Sequence, residues 1–187
     1  MAAPPPPPPP EKHLSKISPI VKKLRSVTPT VYQPPKPSIE LSPAPTGPYF
    51  FYGTLTDSSM VSEILNLDTE PILRPATIVG YKCKMWGQYP ALLPTITDTV
   101  VEGSVYLVRG REDGRKLADY ETSNYHPVPC RILYTDGREP AQDWGHTFQF
   151  VGNADDLSEG EFDLQVWLRR MGRQAALERL DARKHLK

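Results

Sequence analysis

Proline divides this chain. Of its 22 prolines, 15 fall within residues 1–48 and 7 come later. Glycine runs the other way: Gly47 is the sole glycine before residue 49, and the other 11 follow it. Proline fixes φ and has no amide donor, so a run such as Pro4–Pro10 favours an extended polyproline II helix over a helix or sheet. Pro34, Pro35, Pro37, Pro43, Pro45 and Pro48 keep the rest of that segment extended. Residues 1–48 therefore read as a disordered proline-rich extension, and residues 49–187 as the folded domain. Within the extension, Leu14, Ile17, Ile20, Val21 and Leu24 fall at roughly helical spacing, interrupted by Pro19. Ile17–Val27 is thus suited to docking on the domain or on a protein partner.

The 187-residue chain is long enough to bury a core. It carries 22 basic and 22 acidic side chains, and their placement is uneven. Residues 1–48 hold 6 basic and 2 acidic groups, and residues 169–187 hold 7 and 2. The centre, 49–168, keeps 9 basic and 18 acidic groups, a net of −9. Phosphate contacts need clustered Lys and Arg, so a nucleic-acid-binding core is not expected. No apolar run has the length of a membrane span, and the N-terminus lacks a secretory pattern. Cys83 and Cys130 have no partners at metal-ligand spacing. These features together read as a cytoplasmic protein.

Tyr49, Phe50, Phe51 and Tyr52 predict a strand that ends at Gly53 and Thr54. Asp57 or Ser58 then caps a helix bearing Met60, Val61, Ile64 and Leu65. Ala76–Trp86 reads as a long strand with a bend at Gly80, and Ala91–Leu93 as a short one. Val100–Val108 is a further strand and Glu112–Glu121 a helix. Val128–Tyr134 and Thr147–Val151 are strands, with an Asp136-Gly137 turn signal between them. Ser158 and Glu161 have capping-box spacing for a helix with Phe162, Val166, Trp167 and Met171. A basic surface helix over Arg169–Lys187 completes an α+β pattern.

Nucleotide-binding glycine loops, a nucleophile elbow and an HExxH motif are absent from the sequence. His13, His126, His146 and His185 are scattered, and Cys83 and Cys130 fall in strands, so neither a metal site nor a cysteine nucleophile is expected. Two segments remain. Tyr52-Gly53-Thr54-Leu55 lies at a strand–turn–helix junction, where consecutive backbone N–H groups can hold a carboxylate or an oxyanion. The alternative is an ordinary turn. Glu121, before Tyr125, ends a helix, where the macrodipole disfavours an anion. Such a residue is either functional or simply solvated.

Four ordered segments resemble the γ-glutamylcyclotransferase-like superfamily, and its AIG2-like branch most. They are the aromatic strand into Tyr52-Gly53-Thr54-Leu55, then Gly87-Gln88-Tyr89-Pro90-Ala91-Leu92, then Val101–Tyr106, then Leu117–Glu121 with Tyr125. The resemblance covers about Tyr49 to Phe150. It implies a small mixed β-barrel with flanking helices around a central cavity. It also implies that Tyr52, Gly53, Thr54 and Leu55 bind the α-carboxylate and amide region of a γ-glutamyl group. Glu121 is then the general acid/base, and Tyr125 lines the site. Many members carry glycine directly after that glutamate, where this chain has Thr122.

The activity so implied is cyclisation of a γ-glutamyl amine or peptide to 5-oxoproline, with release of the free amine. No metal or organic cofactor is required. Ring closure is intramolecular, so the enzyme has one rotamer to hold and no second reactant to gather. The fold alone also admits a different acyl or amine transfer in the same cavity. A binding or interaction protein without catalysis, using the proline run and basic C-terminus, is the alternative of another class.

Overall fold

The computed structural model describes residues 44–184. The proline run, Ile17–Val27 and residues 185–187 lie outside the described residues. The aromatic run forms β1 (Gly47–Phe51), which is the seam of the fold. It pairs antiparallel with β5 (Val100–Val108), Phe50 opposite Val105. On its other edge it pairs parallel with β7 (Gln142–Phe150), Tyr49 opposite His146. β2 (Arg74–Val79) joins β5 to β6 (Tyr125–Tyr134), and β6 returns to β7. The order β1-β5-β2-β6-β7 closes a barrel. It is mixed, because β1–β7 is parallel and the other pairings are antiparallel.

Pro127 and Pro129 lie inside β6, where a missing amide would damage a central strand. The register explains why they are tolerated. β6 meets β2 at Leu133 and Tyr134, whereas along Pro127 and Pro129 its ladder partner is β7. A residue with one neighbouring strand can lack one donor.

The expected long strand Ala76–Trp86 is two strands. Gly80 separates β2 from β3 (Tyr81–Trp86) at φ +84°, a left-handed conformation that costs glycine little. There the chain leaves the barrel for a small second sheet of order β4-β3-β8, with β4 (Tyr89–Pro94) and β8 (Leu157–Ser158). The β3–β4 hairpin turns at Gly87-Gln88, setting Trp86 opposite Tyr89 and Met85 opposite Pro90.

Four α-helices flank the sheets among the described residues: α1 (Ser58–Leu65), α2 (Arg111–Glu121), α3 (Leu164–Arg170) and α4 (Gln174–Lys184). Asp57 caps α1, its Oδ1 accepting the Ser59 N–H at 3.0 Å. The capping box expected at Ser158 and Glu161 does not form. Ser158 is taken up by β8, opposite Met85. Asp163 caps α3 instead, accepting the Val166 N–H at 3.0 Å. Gly172 stops α3 at φ +65°, and the terminal helix begins at Gln174 rather than Arg169.

Two buried clusters hold these parts together. Phe50, Ile78, Val105, Cys130 and Ile132 pack between the barrel strands. Tyr49, Phe51, Met60, Leu117, Phe148 and Leu168 belong to the larger cluster, which fastens the helices to the barrel. At about 25 cal/mol per Å² of apolar surface, burying each large side chain contributes about 2 kcal/mol.

Candidate active site

A cavity partly open to solvent lies where β1 runs out of the barrel. Tyr52, Gly53, Thr54 and Leu55 form one wall, and Glu121 and Tyr125 lie on it as well. The structure thus brings together all six residues singled out in the sequence. Phe50, Phe51, Tyr89, Pro90 and Phe148 complete the lining. Sequence reasoning gave those five no site role. The Tyr89-Pro90 pair stood within a quoted segment. Phe148 carried no local signal, because it reaches the cavity through the non-local β1–β7 pairing.

The Gly53 turn is built by its own hydrogen bonds. Thr54–Thr56 makes one turn of 3-10 helix, with Thr56 N–H donating to Gly53 O at 3.0 Å and Asp57 N–H to Thr54 O at 3.3 Å. The Thr56 hydroxyl also donates to Gly53 O, at 2.6 Å. Closing the turn therefore uses the amides of Thr56 and Asp57 and does not consume those of Gly53, Thr54 and Leu55. Glycine is required here for a different reason from the one its type suggests. Its φ is −126°, not positive. A Cβ at this position would stand 2.7 Å from Cγ of Pro90, so the turn needs glycine for close approach to β4.

Glu121 is the last residue of α2 and is 9% exposed. It shares the inward face of that helix with Gly114, Leu117 and Tyr120. The chain then turns through Thr122, at φ +68° and ψ 177°, a region that residues other than glycine seldom occupy. The Tyr125 N–H donates to Thr122 O at 3.3 Å, and β6 begins. This tight turn puts Glu121 and Tyr125 on the same cavity.

The phenols around the carboxyl group are held by named partners. Tyr52 donates to Phe148 O at 2.5 Å and Tyr125 to Pro90 O at 3.1 Å. The hydroxyls of Thr54 and Tyr120 share a hydrogen bond of 2.8 Å. Burial pushes the phenols of Tyr52, Tyr120 and Tyr125 well up, and the Glu121 charge adds to each rise. All three stay protonated at neutral pH. Burial also pushes the Cys83 thiol up to about 11 and that of Cys130 to about 12, so neither supplies a thiolate at neutral pH. No group of three His, Cys, Asp or Glu among the described residues could hold a metal ion. No helix there is long and apolar enough to cross a membrane.

The arrangement offers one carboxyl group, a turn closed without the amides of Gly53, Thr54 and Leu55, and an aromatic wall. Comparison with known proteins adds a family. A family model for γ-glutamyl cyclotransferases of the AIG2-like type matches residues 49–167. Comparison with curated proteins gives no significant match. Among solved structures, a solution structure from Arabidopsis thaliana is similar at 24% identity and TM-score 0.54. That match covers 79% of this chain and 86% of the other. A second Arabidopsis thaliana solution structure is similar at 22% identity and TM-score 0.50, covering 72% and 87%. At these identities the likeness shows a shared fold.

Proposed function

Because the chain belongs to the AIG2-like γ-glutamyl cyclotransferase family, we propose that it cyclises a γ-glutamyl amine or peptide to 5-oxoproline, with Glu121 as general acid/base. One observation carries this reading: the turn Tyr52–Leu55, Glu121 and Tyr125, distant in sequence, line a single cavity.

The proposed chemistry needs few groups. The amides of Gly53, Thr54 and Leu55 hold the substrate α-carboxylate and aim the γ-carbonyl at the α-amine. The α-amine has a pKa near ~8, so at neutral pH it first gives its ammonium proton to solvent and reacts as the neutral amine. Glu121 removes a proton as the amine nitrogen attacks the γ-carbon. A carbon–nitrogen bond forms and the carbonyl oxygen takes up charge, which nearby N–H donors stabilise. Glu121 then returns a proton to the leaving nitrogen. The old amide bond breaks, giving 5-oxoproline and a free amine. Tyr125 and Tyr52 shape the wall as protonated phenols.

The test is product release. Purified full-length protein incubated with a panel of γ-glutamyl amines and peptides should liberate 5-oxoproline and amine in equal amounts from at least one of them.

A further inference from the structure

The carboxylate site proposed above is short of positive charge. No Lys or Arg lines the cavity, whereas Glu121 does. Asp57, 6% exposed, directly follows the Thr54–Thr56 turn. An anionic ligand seated on the amides of Gly53–Leu55 would share the cavity with the Glu121 carboxyl and sit on a turn that Asp57 directly follows.

Arg173 lies beyond the family-matched residues 49–167, at the start of α4. Its backbone is fixed: its N–H donates to Leu168 O at 2.9 Å, and its carbonyl accepts from Ala176 and Leu177 at 3.1 and 3.2 Å. Its side chain is 18% exposed and reaches the first turn of α1. Nη1 pairs with Glu63 Oε2 at 2.7 Å, Nη2 donates to Ser59 Oγ at 3.0 Å, and Nε stands 3.9 Å from Asp57 Oδ2. Ser59 Oγ in turn donates to Asp57 Oδ2 at 2.8 Å. The guanidinium, Glu63, Ser59 and Asp57 form one network at the first turn of α1, which directly follows the Gly53–Leu55 turn in sequence. The same positive charge acts on the Tyr120 phenol, which is bonded to Thr54, and works against its burial-driven rise.

We propose that Arg173 is a positioning residue for carboxylate binding: its positive charge, shared between Glu63 and Asp57, offsets part of the Asp57 charge next to the Gly53–Leu55 turn, so that an anion on the turn's amides meets less repulsion. The inference rests on the reading of that turn as the carboxylate site. It assigns a function to a residue outside the matched region. A plain tether between α4 and α1 would explain the same contacts, so the test must separate charge from tethering.

Titration calorimetry of the full chain with 5-oxoproline separates them, with folding checked by circular dichroism. Arg173→Met should weaken binding at least about threefold, more at low than at high salt. Arg173→Lys should retain most of the affinity. Arg173→Met combined with Asp57→Asn should restore it, because asparagine removes the charge that Arg173 offsets and still caps α1. A tether alone predicts that the double variant binds as weakly as Arg173→Met. Unchanged affinity in Arg173→Met, or a double variant that stays weak, overturns the inference and leaves the proposed activity standing. Wild type that binds neither 5-oxoproline nor any γ-glutamyl amide overturns both. Should Arg173→Met not fold, Asp57→Asn alone decides. Tighter binding supports the account, and unchanged or weaker binding overturns it.

Discussion

Tyr120 and Thr54 are 66 residues apart in sequence, and their hydroxyls share a buried hydrogen bond of 2.8 Å. Tyr120 precedes Glu121 at the end of α2, and Thr54 is the first residue of the 3-10 turn. The bond therefore locks the carboxyl-bearing helix end to the turn that would hold the substrate. Tyr120→Phe keeps the ring and removes the bond. A lost buried hydrogen bond costs about 1–2 kcal/mol, to be read from urea unfolding. We also expect KM for a γ-glutamyl substrate to rise, since the turn is no longer held in place. Unchanged stability and unchanged KM would show that the bond positions nothing.

Gly53→Ala tests the close approach of β4. The new methyl would meet Pro90 Cγ at 2.7 Å, and a proline ring has little freedom to withdraw. Overpacking of this kind costs about 1–3 kcal/mol. Because Pro90 also lines the cavity, 5-oxoproline binding should fall in the folded protein. Thermal melting together with titration calorimetry checks both effects. A variant as stable as wild type would mean that the hairpin yields.

Thr122→Gly tests the strained turn after Glu121. A non-glycine residue at φ +68° and ψ 177° stores about 1–3 kcal/mol. Glycine releases that strain, against an entropic cost of about 1 kcal/mol. It also loses the Thr122 hydroxyl's hydrogen bond from Asn124 N–H, a long one at 3.4 Å. A net gain in stability of up to about 1 kcal/mol is expected from chemical denaturation. A loss would show that the hydroxyl holds the turn more firmly than its length suggests.

Asp136 gives the fold a pH dependence with a definite sign. It closes the β6–β7 turn, and the Arg74 guanidinium grips it with two bonds of 2.9 Å from Nε and Nη2. Hydrogen bonding to Arg74, foremost, holds its carboxyl down from 3.8 to about 2. A group with a lowered folded pKa stabilises fully above its unfolded value and loses that contribution as pH falls through the folded one. Wild type should therefore be more stable than Asp136→Asn at pH 6. The gap should narrow below about pH 4 and close only as pH falls through about 2. A constant gap across that range would exclude the ion pair as its cause.

Much of the architecture was legible where a local rule had no competitor. The aromatic run predicted a strand and Tyr49–Phe51 form it, Asp57 was one of the two capping candidates, and Gly80 was placed at a bend. The Ser158–Glu161 spacing misled because a tertiary pairing won: β8 claims Ser158 for Met85, and Asp163 takes over as cap. Barrel closure through the parallel β1–β7 pair joins segments far apart in sequence, so the reach of Phe148 to the cavity left no local trace. Gly53 was singled out for its place in the turn, and the structure adds that a Cβ there would meet Pro90 at a φ that is not positive. Arg173 looked like one of many basic residues near the C-terminus, and three-dimensional packing alone pairs it with Asp57 and Glu63.

The most direct test of the central claim compares wild type with Glu121→Gln for 5-oxoproline release from a γ-glutamyl substrate that wild type turns over. Glutamine keeps the size and burial of the side chain and cannot take the amine proton. With folding and 5-oxoproline binding retained, turnover should drop by at least about 10². Release by Glu121→Gln at the wild-type rate would contradict the account, because the reaction would then proceed without its proposed acid/base.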